Sequence, residues 1–383
     1  MQSQDTKTDD YLHRLRFIRN VVVKGLGLFI IFNLVFALWY PLEGLGRFSA
    51  YNQLFPGRLR LPYGENPQES YNLSLYNPEA MFASHEIAGR PKPSDEYRVI
   101  LIGDSSTWGF LLPADQTLAA YLNKAGLKLA DGRTLRAYNL GYPVMSLTKD
   151  LLILSYALRY DPDLIIWPLT LESFPTDKQL FPPLLQNNPQ LMGDLIETYR
   201  LRLDPQDAGF VSTTFWDRTI IGARRHLADL VRLQLYGVPW AATGIDQDIP
   251  PSFTPPMEDL PADESFHDLQ PPILRESDLA FDVLAAGITM AGDVPVLLVN
   301  EPMFISQGQN SHIRYNFYYP RWAYDDYRRL MAEQSARNGW QYLDLWDFIP
   351  PAEFTNTAVH MTPKGTQMLA RKIGEFILSG QAH

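Results

Sequence analysis

The chain has 383 residues, a net charge of −10 and no cysteine, and 46% of its residues are apolar. The missing cysteines exclude disulfides, thiolate metal sites and cysteine catalysis. The acidic balance, without a long basic run, argues against nucleic acid as a partner. No metal-spacing motif such as HExxH is present, so the sequence predicts neither a metal nor another cofactor.

The first strong local signal is residues 25–42, an apolar stretch without a charged side chain. As a helix it is about 27 Å long, close to the thickness of a bilayer core. Basic residues precede it and aromatic residues lie at its far end. This pattern predicts a single-pass anchor in the cell membrane, with residues 1–24 in the cytoplasm and the bulk of the chain outside. A cleaved signal peptide is the alternative, although the apolar run is long for one.

After the anchor, residues 43–93 contain Gly, Pro, Asn and Tyr in irregular order and are predicted to form a stalk that packs partly on the next domain. From there on, short apolar runs alternate with helical patterns. Strands are predicted over 99–102, 135–140, 163–167, 294–299 and 340–345, and helices over about 116–129, 148–160, 324–338 and 363–378. The alternation predicts an α/β domain over 94–383, with a mostly parallel sheet covered on both faces.

Residues 175–272 interrupt this alternation, and their length exceeds that of ordinary connections. Helices are predicted over about 189–203 and 216–235, followed by a proline-rich stretch. Insertions at the carboxyl edge of a parallel sheet commonly shape the ligand site. For residues 238–272, a disordered linker and an ordered cap are equally compatible with the composition.

The candidate nucleophile is Ser105, which lies on the turn between a buried strand and the next helix. There its hydroxyl projects beyond the sheet edge, beside backbone N–H groups that can stabilise an oxyanion. The alternative is an ordinary capped turn, in which Ser105 or Ser106 only accepts hydrogen bonds from the start of the helix.

The candidate base is His360, which follows the last predicted strand and precedes a helix that Thr362 caps and Pro363 begins. Histidine titrates near neutral pH and can take the serine proton. The other histidines are interpreted as structural or exposed. Because both residues follow strands of a parallel sheet, we expect Ser105 and His360 to meet across its carboxyl edge.

Together these motifs resemble those of the SGNH/GDSL hydrolase superfamily, from about Tyr97 to the C-terminus with the insertion excepted. The matching segments are residues 98–109, 139–146, 162–167 and 360–365. The anchor and stalk are similar to those of membrane-bound members that accompany O-acylation of cell-surface polymers. The resemblance implies a three-layer, flavodoxin-like α/β fold and the hydrolysis, or transfer, of an ester-linked acyl group.

Three signature positions depart from the family pattern. The oxyanion glycine of the second motif aligns with Val144, while Gly141 matches an earlier glycine. The oxyanion asparagine of the third motif falls at or near Glu172, whose carboxylate cannot donate a hydrogen bond unless it is protonated. The aspartate that the family places three residues before the histidine is Thr357.

An orienting partner for His360 must then come from elsewhere, since the imidazolium formed during serine attack needs one on its other nitrogen. Asp344 and Asp347 lie on or after the last strand. We predict Asp347 as this partner, with Asn356 as a neutral substitute. Losing an oxyanion donor costs roughly 10²–10³ in rate, and losing the orienting carboxylate roughly 10⁴.

The sequence therefore favours an active but divergent acylesterase or O-acyltransferase, acting outside the cytoplasm on an acylated glycan, lipid or glycolipid. The alternative is an impaired SGNH-fold protein that binds glycan or lipid, or scaffolds a membrane acyltransferase. Under that alternative, the aromatic cluster at residues 315–322 suits a face for stacking sugars, but it suits ordinary packing at least as well.

Overall fold

A central sheet organises the computed structural model, which describes residues 2–64 and 70–380. Its strands are β1 Glu96–Leu101, β2 Thr134–Asn139, β3 Leu164–Leu169, β4 Val296–Asn300 and β5 Gln341–Asp344. All neighbours pair in parallel, in the order β2-β1-β3-β4-β5. This is the flavodoxin-like order of doubly wound sheets, so the predicted fold class is confirmed.

The parts of the predicted tail, stalk and hydrolase domain at residues 1, 65–69 and 381–383 lie outside the described residues. The helices before the insertion are α1 Gln2–Trp39, α2 Leu42–Gly46, α3 Ala50–Leu54, α4 Pro78–Ser84, α5 Ser105–Trp108, α6 Leu118–Lys124 and α7 Leu147–Ala157. Those within and after it are α8 Pro183–Gln186, α9 Pro189–Tyr199, α10 Arg224–Thr243, α11 Phe281–Ala291, α12 Arg321–Asn338 and α13 Pro363–Leu378.

The sheet is buried on both faces because its strands are nearly continuous apolar runs. Along β1 the side chains alternate, so Ile100 enters one core and Leu101 the other. The first core includes side chains of α7, α11 and α12, and the second includes side chains of α6 and α13. The fold thus has three layers, and the carboxyl ends of all strands meet at one edge.

Several helix boundaries differ from prediction, and two of them are set by an identifiable residue. The predicted helix 116–129 is shorter because the Thr117 side chain caps its start and Gly126, at φ +57°, follows its end. In the insertion, α9 stops at Arg200, which has φ +54°. Helix α10 begins eight residues later than predicted and continues through Pro239. Helix α11, which leads into β4, was not predicted.

The segment at residues 43–93 is more than a stalk. Leu61, Leu73, Met81 and Phe82 are all buried within the first core. The segment also covers the outer edge of β2, where Arg60 bridges in parallel to Asn139. A stalk that packs only partly was expected, but these residues belong to the core because their apolar side chains are inserted beneath α7.

Residues 238–272, whose composition suits either a disordered linker or an ordered cap, pack onto the α/β domain. Trp240, Leu260 and Phe266 are buried, and the buried carboxylate of Asp246 pairs with Arg60. The Arg60 guanidinium also lies 4.1 Å from the centroid of the Trp108 ring, which follows Ser105 in α5. The described residues of 238–272 therefore form an ordered cap.

Near the N-terminus, residues Tyr11–Trp39 form a helix with a mean hydropathy of 2.4 over its most apolar window, and only 11% of that window is buried. Its length and composition suit a membrane span, although a signal sequence has the same properties. The helix ends at Trp39 because Tyr40 has φ +43°. The last residues of the predicted span thus lie outside the helix.

Candidate active site

The position of Ser105 is fixed by the turn that leaves β1. Asp104 caps α5 by accepting a hydrogen bond from Ser106 N through Oδ1 at 2.8 Å, and Ser105 is the first residue of that helix. Gly103 has φ +151°, and a Cβ there would lie 2.4 Å from Thr107 Oγ1, so the turn requires glycine. The half-buried serine hydroxyl is thereby held at the carboxyl edge of the sheet.

His360 lies beside Ser105 across this edge, as the positions of both residues in the sequence predict. Its Nε2 is 2.9 Å from Ser105 Oγ, and its Nδ1 is 2.9 Å from Asn356 Oδ1. An amide oxygen only accepts hydrogen bonds, so this pairing assigns the imidazole proton to Nδ1. Nε2 is then free to accept the serine proton, which is the geometry required of a general base.

A tight turn positions His360. Thr357, at the place of the family aspartate, accepts hydrogen bonds from the backbone N–H groups of Val359 at 3.3 Å and His360 at 3.2 Å. The buried hydroxyl of Thr355 donates to the His360 carbonyl oxygen at 3.0 Å. Thr357 therefore orients the backbone of the histidine, while its neighbour Asn356 orients the ring.

The predicted orienting acid, Asp347, does not contact His360. Its side chain is exposed, and the position it was expected to fill is taken by Asn356. Asp344 does not pair with His360 either: its carboxylate accepts hydrogen bonds from Arg328 at 2.8 Å and from Asn300 at 2.8 Å. The preference for Asp347 is thus wrong, and the neutral substitute is the residue in place. An asparagine only four positions before the histidine reaches the ring within the same turn.

The surroundings of His360 keep its ring neutral. Burial lowers the pKa of His360 to about 4, and Phe110 packs with a ring-centroid distance of 5.0 Å. At neutral pH the imidazole is therefore in the form that accepts a proton. The same burial makes the imidazolium costly to form, and Asn356 supplies no negative charge to offset that cost.

The loop after β2 carries the two second-motif positions. A Cβ on Gly141 would lie 2.5 Å from Trp108 N, so this loop packs directly against α5. The Gly141 N–H is already used, since it donates to Asn139 Oδ1 at 3.1 Å. Val144 has φ +80°, a left-handed conformation that is an outlier for a β-branched residue, and its N–H has no acceptor among the described residues. Strain of this kind is concentrated at active sites.

Glu172 occupies a buried position just after β3. Its Oε1 pairs with Lys178 and its Oε2 lies 3.1 Å from His267 Nε2. Burial acts to raise the pKa of Glu172, but the bonds from His267 and Lys178 outweigh it and hold that pKa below its usual value. The carboxylate is therefore ionised and held by Lys178 and His267 of the insertion, and it donates no hydrogen bond. The pKa of His267 is raised in turn, first by its bond to Glu172.

Two buried ionisable residues support the site, and the sequence alone did not single them out. Lys149 is fully buried; its Nζ donates to the carbonyl oxygens of Gly103 and Tyr142, each at 2.7 Å, and pairs with Asp150 at 2.5 Å. It thereby ties the serine turn to the Val144 loop. A buried lysine is an unusual feature, but its position on an apolar helix gives no sign of its partners.

Glu301 follows β4 and is buried close to Asp104 and Ser106. Its carboxyl oxygens and Asp104 Oδ2 have no aligned hydrogen-bond partner among the described residues. Burial, and then the neighbouring Asp104 charge, raise the pKa of Glu301 well above its usual value, and burial also raises that of Asp104. A neutral Glu301 beneath the serine turn can donate to Asp104 Oδ2.

The aromatic cluster at residues 315–322 is mainly packing. Tyr315 and Tyr319 are buried, and they contact the rings of Tyr324 and other aromatic residues of the first core. Only part of the cluster faces the site: Phe317 and Tyr318 are half-buried, and the charges of Glu172 and Asp104 help burial to raise the pKa of Tyr318 to about 12.

No protein-family model matches the chain, and no curated protein matches it. Solved structures similar to it include a G-D-S-L family lipolytic protein from Veillonella parvula, with 11% identity over 73% of this chain and 96% of that chain, at a TM-score of 0.35. A carbohydrate acetylesterase family member from Sinorhizobium meliloti has 12% identity over 73% and 96%, at a TM-score of 0.31. An acetylxylan esterase from Geobacillus stearothermophilus has 11% identity over 74% and 94%, at a TM-score of 0.36.

With TM-scores below 0.5 and such low identity, these similarities carry no statement about activity. The strand order and the placement of Ser105 and His360 are those that the sequence motifs imply. In its motifs, sheet topology and serine–histidine geometry, the chain resembles the SGNH/GDSL hydrolases.

Proposed function

We propose that this chain is a membrane-anchored serine acylesterase or O-acyltransferase, acting outside the cytoplasm on an acylated glycan, lipid or glycolipid. The observation that carries the proposal is a continuous hydrogen-bonded relay. Ser105 Oγ, the two nitrogens of His360 and Asn356 Oδ1 are joined by two contacts of 2.9 Å each. A capped turn that merely satisfies backbone groups has no need of such a relay.

In the first half-reaction, Ser105 Oγ attacks the ester carbonyl carbon while its proton passes to His360 Nε2. The bond between that carbon and the alcohol oxygen then breaks, and His360 returns the proton to the leaving alcohol. The acyl group remains on Ser105 as an ester. In the second half-reaction, His360 takes a proton from water or from an acceptor hydroxyl, whose oxygen attacks the acyl carbon. The bond between that carbon and Ser105 Oγ then breaks, and His360 returns the proton to Ser105 Oγ.

Asn356 serves this cycle by fixing the imidazole in the productive tautomer. The same role is filled by asparagine in the Cys-His-Asn arrangement of papain-like proteases. Since Asn356 is neutral, it stabilises the imidazolium less than an aspartate does. The relay is thus correctly oriented but supports a slower proton transfer than a carboxylate relay.

The oxyanion is best served by backbone donors. The Ser105 N–H at the start of α5 and the strained Val144 N–H have no acceptor among the described residues. Glu172 cannot donate in the place of the family asparagine, but its pairing with Lys178 and His267 removes most of the repulsion that an isolated carboxylate would exert. The site therefore retains two of the three donor positions.

A second candidate function is binding of an acylated glycan or lipid without turnover, or the scaffolding of a membrane acyltransferase. Glu172 favours it, because an ionised carboxylate at an amide donor position is ill suited to oxyanion stabilisation. The complete serine–histidine relay favours the enzyme.

Labelling of the full-length protein with a fluorophosphonate probe separates the two functions. We expect the probe to modify Ser105, and Ser105→Ala and His360→Ala to abolish the modification. Ser212→Ala, which changes an exposed serine of the insertion, is the matched control and should label like the wild type. If the folded wild-type protein is not labelled, the binding function replaces the enzymatic one.

A further inference from the structure

The insertion presents an exposed apolar surface that the proposed chemistry does not use. On α10, Val231, Leu235 and Val238 are exposed at spacings of four and three residues, so they share one helix face. The opposite face, with Leu233, Gly237 and Trp240, is buried. Just before α10, Trp216 is 73% exposed and Ile221 is 54% exposed. We call Trp216, Ile221, Val231, Leu235 and Val238 the docking face.

The docking face is continuous with the apolar N-terminal helix. Ile221 N donates to Asn33 Oδ1 at 3.4 Å, and Asn33 itself is buried although it lies within α1. The Arg218 guanidinium lies 5.2 Å from the Tyr40 ring, just beyond the end of α1. These contacts place the segment before α10 alongside α1.

Helix α10 is fixed to the residues that follow α1. Gln234 Oε1 accepts a hydrogen bond at 3.1 Å from the backbone N–H of Tyr51, the second residue of α3. A Cβ on Gly237 would lie 2.3 Å from the Tyr51 ring, so the helix and the ring are in close contact. Helix α10 therefore packs against the segment that follows the end of α1.

The position of Asn33 sets the depth of this surface. Asn33 precedes the last residue of α1, Trp39, by six residues, which is about 9 Å along a helix axis. One half of a bilayer core is roughly 15 Å thick. If α1 spans a bilayer, a segment that contacts Asn33 lies at the level of the acyl chains near the outer surface.

The charge around the docking face suits phospholipid headgroups. The chain carries a net charge of −10, yet residues 214–243 contain four arginines and only two aspartates. Arg224, Arg225 and Arg232 are exposed on α10. An exposed apolar stripe flanked by arginines is the composition of helices that lie in a membrane interface.

We propose that the docking face inserts into the outer leaflet of the same bilayer that α1 spans, so that α10 lies in the interface with its arginines at the phosphates. This rests on the membrane anchor of the proposed function. The domain would then be held close to the lipid surface by two elements rather than swinging from a single helix, and the orientation of the Ser105 edge would be fixed relative to the membrane.

The absence of cysteine makes a direct test possible, because any introduced cysteine is unique. The full-length protein with Leu235→Cys carries a bimane label and is placed in vesicles of phosphatidylcholine and phosphatidylglycerol, some of them with brominated acyl chains. Phe29→Cys reports the anchor itself. Leu378→Cys, at an exposed leucine that ends α13, is the matched control away from the docking face.

We expect brominated lipid to quench the labels at positions 29 and 235 several-fold more than the label at 378. If position 29 is quenched and position 235 behaves like 378, the docking face is wrong and the anchor stands. If position 29 is not quenched, the anchor and the docking face both fail, whatever the result of fluorophosphonate labelling. Protection of position 235 in native membranes, without quenching in vesicles, would point to a membrane protein as the partner and overturn the lipid proposal.

Discussion

The two halves of the candidate site depart from the family pattern in different ways. On the side of His360, the nucleophile and base are retained and a neutral residue, Asn356, takes the place of the orienting acid. On the side of β3, the amide donor is replaced by Glu172, an ionised carboxylate held by Lys178 and His267 of the insertion. The histidine side therefore keeps the geometry of the relay but lacks a negative charge on the orienting residue. The β3 side has a negative carboxylate where the family has a neutral hydrogen-bond donor.

The contrast matters because the halves contribute to different steps. Proton transfer needs the correct tautomer and a short contact, which Asn356 and His360 supply. Stabilisation of the oxyanion needs donors, and each missing donor costs roughly 10²–10³ in rate. Under the proposed function, the weaker part of the site is therefore its oxyanion stabilisation rather than its proton transfer.

The largest effect should come from removing the base. His360→Ala should lower esterase turnover by about 10⁵-fold or more, as loss of the histidine does in serine proteases. His312→Ala, at an exposed histidine, should leave turnover unchanged. Turnover of a p-nitrophenyl ester by the purified proteins checks this. Retention of activity in His360→Ala would mean that Ser105 is not activated by this histidine.

Restoring the amide donor tests the other half. Glu172→Asn should raise kcat, by up to about 10²-fold, because an oxyanion donor is regained. Glu172→Gln is the control, since its amide is one carbon further from the backbone. Thermal unfolding of both variants must be followed as well, because Lys178 and His267 lose their ion-pair partner. A lower kcat in Glu172→Asn with an unchanged melting temperature would show that the carboxylate itself takes part in the reaction.

A negative charge on the residue that orients His360 should speed proton transfer from Ser105. Asn356→Asp should raise turnover at neutral pH about 10-fold, because a carboxylate stabilises the imidazolium. The carboxylate also stabilises protonated His360 and so raises its pKa from about 4. The pH below which kcat/KM falls should therefore rise by one or more units. A pH profile of both proteins checks the shift. If that pH does not rise, residue 356 does not face His360 during turnover.

The smallest effect is expected at Glu301. If its buried carboxyl is neutral, Glu301→Gln preserves both shape and donor capacity, so turnover should change by less than about threefold and stability by no more than about 1 kcal/mol. Glu301→Met, which has no donor, should destabilise the serine turn by more than that. Urea unfolding measures the difference. A large loss of stability in Glu301→Gln would indicate that Glu301 is ionised in the folded protein.

Much of the fold could be predicted from the sequence because it depends on local patterns. Apolar runs identified β1, β3 and β4, the short segments 135–140 and 340–345 were predicted as β2 and β5, and the Thr362-Pro363 cap identified the start of α13. The same patterns placed Ser105 and His360 at one edge, since strand ends in a parallel sheet meet there. Element boundaries set by single left-handed residues, such as Arg200, were missed because such residues are not confined to glycine.

The supporting parts of the site were not predictable in the same way. Asp347 was preferred over Asn356 for its charge and its position just after the last strand, while the tight turn held by Thr357 brings Asn356 to the ring. The partners of Glu172 come from the insertion, and those of Lys149 are backbone carbonyls of two separate loops. Such long-range pairings leave no mark on the local sequence.

The most direct test of the central claim is detection of the acyl-enzyme. The full-length protein is mixed briefly with an activated acetyl ester, quenched in acid, and digested for peptide mass spectrometry. We expect an acetyl group on Ser105 in the wild type and a larger amount when the acceptor is scarce. Ser105→Ala and His360→Ala should show none at any site. Acetylation elsewhere but not on Ser105, or an unmodified wild-type protein that consumes no ester, would contradict the account.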